Sequence, residues 1–241
     1  MKILLVGYGK MGKTIEKIAL QRGHIIVGRV DIESNDRIES GADVAIEFTQ
    51  PGAAVDNITK CINAGIPVVS GTTGWLDHLE EVKAVVSKNN GAFFYASNYS
   101  LGVNIFFKVN EYLARLMGSL PDRQTSHENY HVEVDETHHT QKKDAPSGTA
   151  ITIAEGIIRY LPWKKSWVNE PTGKPDKLVI NSFRVDPAPG THTVKYKSAI
   201  DDIEITHTAH SREGFALGAV LVAEWLQGRK GCFTMNDFLP F

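Results

Sequence analysis

The chain has 241 residues, of which 42% are hydrophobic and 22% charged, enough apolar material for one large domain or two small ones with buried cores. A formal net charge of -2 excludes a global pull toward nucleic acid or an anionic membrane, so any anion site must be local. The two cysteines, Cys61 and Cys232, lie far apart outside any CxxC spacing, which argues against a disulfide framework or a zinc site. The apolar run at residues 3–6 is too short for a signal peptide and no later stretch approaches a membrane span, so a cytoplasmic location without a membrane partner is expected.

Short apolar runs alternate with helical patterns over the first hundred residues. Strands are expected at Ile3–Val6, Ile25–Asp31, Val44–Thr49, Ile66–Ser70 and Ala92–Ala96. Helices are expected at Met11–Arg22, Ala53–Ala64 and Leu76–Lys88. That alternation implies βαβ units and a parallel sheet covered on both faces. The pattern then changes. A long apolar-periodic helix over Val103–Met117 precedes four half-exposed strands, Tyr130–His139, Leu178–Val185, Thr193–Ala199 and Ile203–Ala209, with one helix, Ser147–Leu161, among them. This reads as a second, α+β domain with a partly antiparallel sheet. Residues 162–177, rich in Pro, Lys, Trp and Gly, read as an excursion loop, and Phe215–Leu226 as a helix that returns to the first domain.

Gly7-Tyr8-Gly9-Lys10-Met11-Gly12 is a GxGxxG run that follows a strand and opens a helix, the context a dinucleotide site requires. Gly7 permits the tight turn, Gly9 the approach of a pyrophosphate, and Gly12 close packing of helix on strand. The fold class is therefore α/β with an N-terminal Rossmann domain. Asp31 ends the second strand, where a carboxylate meets adenosine ribose hydroxyls; the alternative is a solvated strand-end acid. Gly71-Thr72-Thr73-Gly74 and Ser97-Asn98-Tyr99-Ser100 also follow strands, and either offer donors to a cofactor or are turn chemistry alone.

The densest polar segment runs His138-His139-Thr140-Gln141-Lys142-Lys143-Asp144-Ala145-Pro146-Ser147-Gly148-Thr149. Adjacent histidines on a strand point to opposite faces, and the lysines repel cations, so no metal is expected there. The helix start at Ser147 to Thr149, with free N–H groups, reads instead as a carboxylate pocket supplied with transferable protons by histidine and lysine. A charged loop that merely caps a helix is the plainer alternative. His24, His78 and His192 stand isolated and receive no role.

These residues carry a resemblance that runs the length of the chain. Glu136-Thr137-His138-His139 with Lys142, Asp144 to Ala150, the Gly7–Gly12 loop, Glu47-Phe48-Thr49, Gly71–Gly74, Asn98–Asn104, Ser211–Ala216 and Gly218–Val220 together resemble the dihydrodipicolinate reductase family. The resemblance implies reduction of a cyclic imine dicarboxylate with NADH or NADPH in diaminopimelate and lysine biosynthesis. It implies a Rossmann domain of residues 1–101 and 211–241, and a substrate domain of residues 102–210 that builds a homotetramer through its sheet. By the same likeness His138 is the acid/base residue and Lys142 the proton donor, while His139, Gly148 and Thr149 bind substrate. Gly7, Tyr8, Gly9, Lys10, Met11, Gly12, Asp31, Gly71, Thr72, Thr73, Ala96, Ser97, Asn98 and Tyr99 would surround the cofactor.

The chain departs from that pattern at Thr140, where many members carry Arg; Lys143 lies close enough to replace it. The glycine loop and the link from Asp31 to the third strand are also short. No Arg follows Asp31, which favours NADH over NADPH while leaving NADPH as a second donor; Lys10 and Arg37 are the cations that could reverse this. Two other readings stay open: a different two-domain Rossmann dehydrogenase of amino or sugar acids, and a non-catalytic dinucleotide sensor with no use for Lys142.

Overall fold

The computed structural model describes residues 1–32, 34, 36–39, 41–120 and 130–239, which divide into two compact units, 1–101 with 212–241, and 102–211. In the first unit β1 (Lys2–Val6), β2 (Ile25–Val30), β3 (Val44–Glu47), β4 (Val68–Ser70) and β5 (Ala92–Tyr95) alternate with α1 (Lys10–Gln21), α2 (Pro51–Asn63) and α3 (Leu79–Lys88). In the second, α4 (Leu101–Ser119) leads into β6 (His131–His138), α5 (Gly148–Tyr160), β7 (Ser166–Val168), β8 (Lys177–Arg184), β9 (Gly190–Lys197) and β10 (Asp202–Ala209). The chain then returns to the first unit as α6 (Glu213–Leu226), β11 (Gly231–Phe233) and α7 (Met235–Phe238).

The first sheet is parallel throughout, in the order β11-β5-β4-β3-β1-β2. Its strands are continuous apolar runs because both faces are covered. One core lies under α1 and α6, around Ile3, Leu5, Ile15, Phe94, Val220 and Leu226; the other lies under α2 and α3, around Leu4, Val6, Ile58, Ile62, Val82 and Phe93. Strand order reverses at β1, whose neighbours β2 and β3 lie on opposite sides, so a crevice opens at the carboxyl ends there.

The second sheet has the order β10-β9-β6-β8-β7, with β6 parallel to β8 and antiparallel to β9. Along β6 every second residue is buried: Val132, Val134, Glu136 and His138. The first two join Phe106, Ala114, Ile153 and Ile157 in the core beneath α4 and α5. The last two carry the same face onward as polar groups.

Two expectations are corrected. The segment 162–177 is not wholly loop, for Ser166–Val168 adds the edge strand β7, and buried Lys164 staples the excursion by donating to the carbonyls of Pro175 and Lys177, both at 2.9 Å. The sequence reading also gave no element after Leu226, whereas β11 pairs with β5 and completes the first sheet. Both strands have three residues, too few to leave a periodicity. Among the described residues no helix is long and apolar enough to cross a membrane.

Candidate active site

In the first unit the glycine run folds as its spacing predicts. Gly7 has φ +92°, and a Cβ there would stand 2.0 Å from the Phe48 carbonyl oxygen. At Gly12 a Cβ would lie 2.3 Å from the Gly7 carbonyl oxygen, so helix and loop touch through bare backbone. Gly9, the residue that opens α1, has nothing within 4 Å of its Cβ position. Two glycines are thus required by the protein's own packing, and the third leaves open the space a pyrophosphate needs. Lys10 and Met11 form the first turn of α1, which has no side-chain cap, so its leading N–H groups are not spent that way.

Asp31 lies just past β2. Its carboxylate accepts from the Tyr8 and Ile32 amides at 3.0 and 2.7 Å, which ties the glycine loop to the strand end. A cleft of about 680 Å³ beside it is lined by Tyr8, Lys13, Arg29, Asp31, Ile32, Ser34 and Asp36. Arg29 was not singled out in the sequence, yet its guanidinium sits 5.6 Å from the Tyr8 ring. It is held by Glu16, which also accepts from the Tyr8 hydroxyl, and hydrogen bonding from Arg29 lowers the Glu16 pKa.

The loops after β3 and β4 are organised from inside by a residue given no role in the sequence reading. Glu47, at 0% exposure, accepts from the Ser70 hydroxyl at 2.6 Å, the Thr72 hydroxyl at 2.8 Å and both the amide and hydroxyl of Thr49. Thr72, expected to offer its hydroxyl outward, spends it on Glu47, and the same oxygen accepts from the Thr49 amide at 2.7 Å. Thr73 is exposed and Gly71 packs against the Phe48 ring. The Tyr99 side chain is likewise core, its hydroxyl donating to the Ser70 carbonyl at 2.6 Å. Ala96 is buried, Ser97 is exposed, and Asn98 accepts from the Ser100 amide at 2.9 Å.

In the second unit, register assembles the polar cluster. Glu136 of β6 lies opposite His192 of β9, and His138 opposite Arg184 of β8. Glu136 Oε1 accepts from the Ser147 amide and from Arg184 Nη2, both at 3.1 Å. Its Oε2 stands 3.2 Å from His138 Nδ1 and 3.8 Å from His192 Nε2. Burial raises the Glu136 pKa, but the polar groups of His138, Ser147, Ser182 and Arg184 around it outweigh that and hold the carboxyl far below the usual range. Ser147 caps α5 by accepting from the Ala150 amide at 3.2 Å, and Gly148 beside it has nothing within 4 Å of its Cβ position. Lys142 is paired with Asp144 through both carboxylate oxygens, at 2.9 and 2.8 Å. His139 and Thr149 are half-buried. Thr140 is anchored to Asp186 by amide and hydroxyl, so this departure serves the loop's shape.

Residues 1–99 match the family model described as dihydrodipicolinate reductase, N-terminus, and residues 102–239 the one described as dihydrodipicolinate reductase, C-terminus. The chain belongs to the dihydrodipicolinate reductase family. A curated 4-hydroxy-tetrahydrodipicolinate reductase of Christiangramia forsetii is 50% identical over 241 residues, covering 99% of this chain and 98% of that one. One of Methanococcoides burtonii is 36% identical, covering 95% and 85%. A dipicolinate-bound dihydrodipicolinate reductase from a Paenisporosarcina species shares the fold, with a TM-score of 0.78 at 21% identity and 99% of both chains covered. Dihydrodipicolinate reductases are oxidoreductases that bind a nicotinamide dinucleotide.

Within this reductase framework His192 corrects the sequence reading, which gave it no role: its ring packs edge-on against His138 with centroids 5.1 Å apart, and its Nε2 lies 3.2 Å from Ser147 Oγ. The sequence reading weighed a metal on the adjacent pair His138 and His139. Among the described residues, the three groups that could surround an ion are instead Glu136, His138 and His192. Arg184 already occupies Glu136 Oε1, and Ser147 Oγ faces His192 Nε2, so those donors are engaged within the protein.

Burial pushes the His192 imidazole from 6.5 down to about 4, with a further push from the neighbouring His138. The unfolded chain therefore binds a proton in that interval that the folded chain excludes. Stability should fall as pH drops from about 6.5 to about 4 and then level off for this group. Thermal midpoints across that range should decline in the native reductase and flatten in His192→Gln; an equal slope in both would assign the acid sensitivity elsewhere.

Proposed function

We propose that this protein reduces 4-hydroxy-tetrahydrodipicolinate, or its dehydrated ring dihydrodipicolinate, to tetrahydrodipicolinate with NAD(P)H, in diaminopimelate and lysine biosynthesis. The reading places the nucleotide on residues 1–101 with 211–241 and the dicarboxylate on residues 102–210. It includes a cytoplasmic homotetramer formed through the second sheet. The observation that carries it is the open, Ser147-capped start of α5 beside Lys142 and His138. Free helix N–H groups and an ammonium suit a carboxylate, and a lysine and an imidazole suit a reaction that must end in protonation.

Bound nicotinamide supplies the hydride. Gly7 to Gly12 give the backbone that receives its phosphates, and Asp31 receives ribose hydroxyls. Gly71, Thr73, Ala96, Ser97 and the backbones of Thr72, Asn98 and Tyr99 border the rest. Gly148, Thr149 and His139 hold the substrate carboxylates. As negative charge develops on the ring nitrogen and the adjoining carbon, Lys142 delivers the proton and His138 stabilises or relays it. The test is a coupled assay: pyruvate and aspartate semialdehyde with the preceding synthase, read as loss of nicotinamide absorbance. No substrate-dependent loss would reject the reading and favour a nucleotide sensor.

Pyridine-2,6-dicarboxylate, the planar analogue of the substrate, is expected to compete with it. Thr149→Val should weaken that inhibition roughly tenfold or more, the scale of one hydrogen bond to a charged group. An unchanged inhibition constant would move the anion site away from α5.

NADH is the preferred donor in this reading, with NADPH tolerated. Asp31 lines the cleft with its charge, and of the two cations that line it, Lys13 and Arg29, the guanidinium is paired with Glu16. A 2′-phosphate would meet repulsion of about 1 kcal/mol or more, a several-fold penalty in kcat/KM. Glu16→Gln should release Arg29 and move the NADH/NADPH ratio of kcat/KM toward NADPH. A native ratio favouring NADPH, or no shift in the variant, would refute this account of the choice.

A further inference from the structure

The geometry points to Glu136 as the positioning residue of the site: we infer that its carboxylate fixes the proton of His138 on Nδ1, leaves Nε2 as the working atom, and with its other oxygen holds the start of α5. The inference rests on reading His138 as the proton-handling imidazole.

Hydrogen-bond accounting carries the argument. Glu136 is fully buried, and its Oε1 is satisfied twice, by the Ser147 amide and by Arg184. Its Oε2 and His138 Nδ1 are both buried, and among the described residues neither has an aligned hydrogen-bond partner. They stand 3.2 Å apart. Two buried polar atoms without other partners at that distance pair with one another, because leaving either unsatisfied costs about 1–3 kcal/mol and a small rotation of the ring aligns them.

His192 is the rival donor to Oε2, at the longer distance of 3.8 Å. Its Nε2 faces the Ser147 hydroxyl at 3.2 Å, and that oxygen already accepts from the Ala150 amide. The hydroxyl is the nearer partner of His192 Nε2, at 3.2 Å against 3.8 Å for Oε2, whichever of the two donates. His138 Nδ1–H is then the donor to Oε2. The opposite edge of the His138 ring is kept clear by Gly190, where a Cβ would approach Nε2 to 3.0 Å.

One carboxylate therefore joins two parts of the site. Through Oε1 it sets the residue that caps the anion-binding helix, and through Oε2 it sets the imidazole that moves the proton. A glutamine in its place keeps the volume and one carbonyl oxygen, and turns an N–H₂ toward His138 Nδ1. The ring proton must then sit on Nε2, and the ring can no longer take up a second proton there.

The test uses the full chain labelled with ¹⁵N-histidine, with His138 assigned through His138→Gln. At alkaline pH, where imidazoles are neutral, His138 of the native protein is expected as the Nδ1–H tautomer, and of Glu136→Gln as the Nε2–H tautomer. In the same variant kcat should fall about 10²-fold or more, the scale for losing an orienting carboxylate, while KM for NADH stays within about twofold. A native Nε2–H tautomer overturns the inference even if Glu136→Gln does not fold. A Glu136→Gln variant with native tautomer or with kcat within about threefold overturns it as well. The tautomer is read without turnover, so failure of the proposed reaction and failure of the Glu136–His138 pairing give separate results.

Discussion

Lys142→Ala is expected to turn over roughly 10² to 10⁴ times more slowly than the native protein, the usual contribution of a positioned acid. The ammonium is three-quarters covered and held by both oxygens of Asp144, so the loss removes a fixed donor rather than a mobile surface charge. Asp144 is then left without its counter-charge beside an anion site, and KM for the dicarboxylate should rise too. Lys142→Arg is the sharper control. It keeps the positive charge but cannot release a proton, so it should recover KM more than kcat. NADH binding should be unchanged in both variants, because the Gly7–Gly12 loop belongs to the other unit. Near-native turnover of folded Lys142→Ala would falsify its assignment as donor and pass the role to His138 or His139.

Gly7→Ala and Gly9→Ala should differ sharply although they sit two residues apart. At Gly7 the new methyl collides with the Phe48 carbonyl, which cannot swing aside because the Phe48 amide is itself tied to the Val6 carbonyl at 2.8 Å. The φ of +92° adds its own penalty of about 1–2 kcal/mol. Together with overpacking of about 1–3 kcal/mol, a loss of about 3 kcal/mol in urea unfolding is expected, with nucleotide binding lost as well. At Gly9 the methyl enters open space, so stability should stay within about 0.5 kcal/mol while NADH affinity falls at least tenfold. Equal losses of stability in the two variants would mean that the loop's glycines serve folding alone.

Local features of the chain were legible in advance. The glycine spacing, the strand ends that follow one another at the sheet's carboxyl edge, and the segment from His138 to Thr149 are each contained within a dozen neighbouring residues. The partners that complete the second cluster were not. Arg184 is 48 residues from Glu136, and His192 is 45 from Ser147. They meet only because β6 pairs with β8 on one side and β9 on the other, and a one-residue slip would turn each of them away. A weaker signal did exist. Glu136 stands two residues before His138, hence on the same face of a strand, and His192 precedes Val194 and Tyr196 in the same alternation. Glu47 left a comparable trace, an acid closing a strand that is otherwise apolar, and its partners Thr49, Ser70 and Thr72 come from the next loop, the end of β4 and the loop after it.

The first unit is assembled from two separated stretches of the chain, 1–101 and 212–241. α6 covers α1 through Ala216, Ala219, Val220 and Ala223, and Gly218 lets it press against the Tyr99 carbonyl. Arg22 and His24 pair with Glu224, and β11 borders β5. During synthesis, residues 1–101 must therefore wait with the sheet face beneath α1 only part-covered while 102–211 are made. The intervening unit is contiguous and can fold first, as it emerges. In a timed translation reaction, protease resistance of the second unit should precede NADH binding, which should appear only after the final helices have left the ribosome.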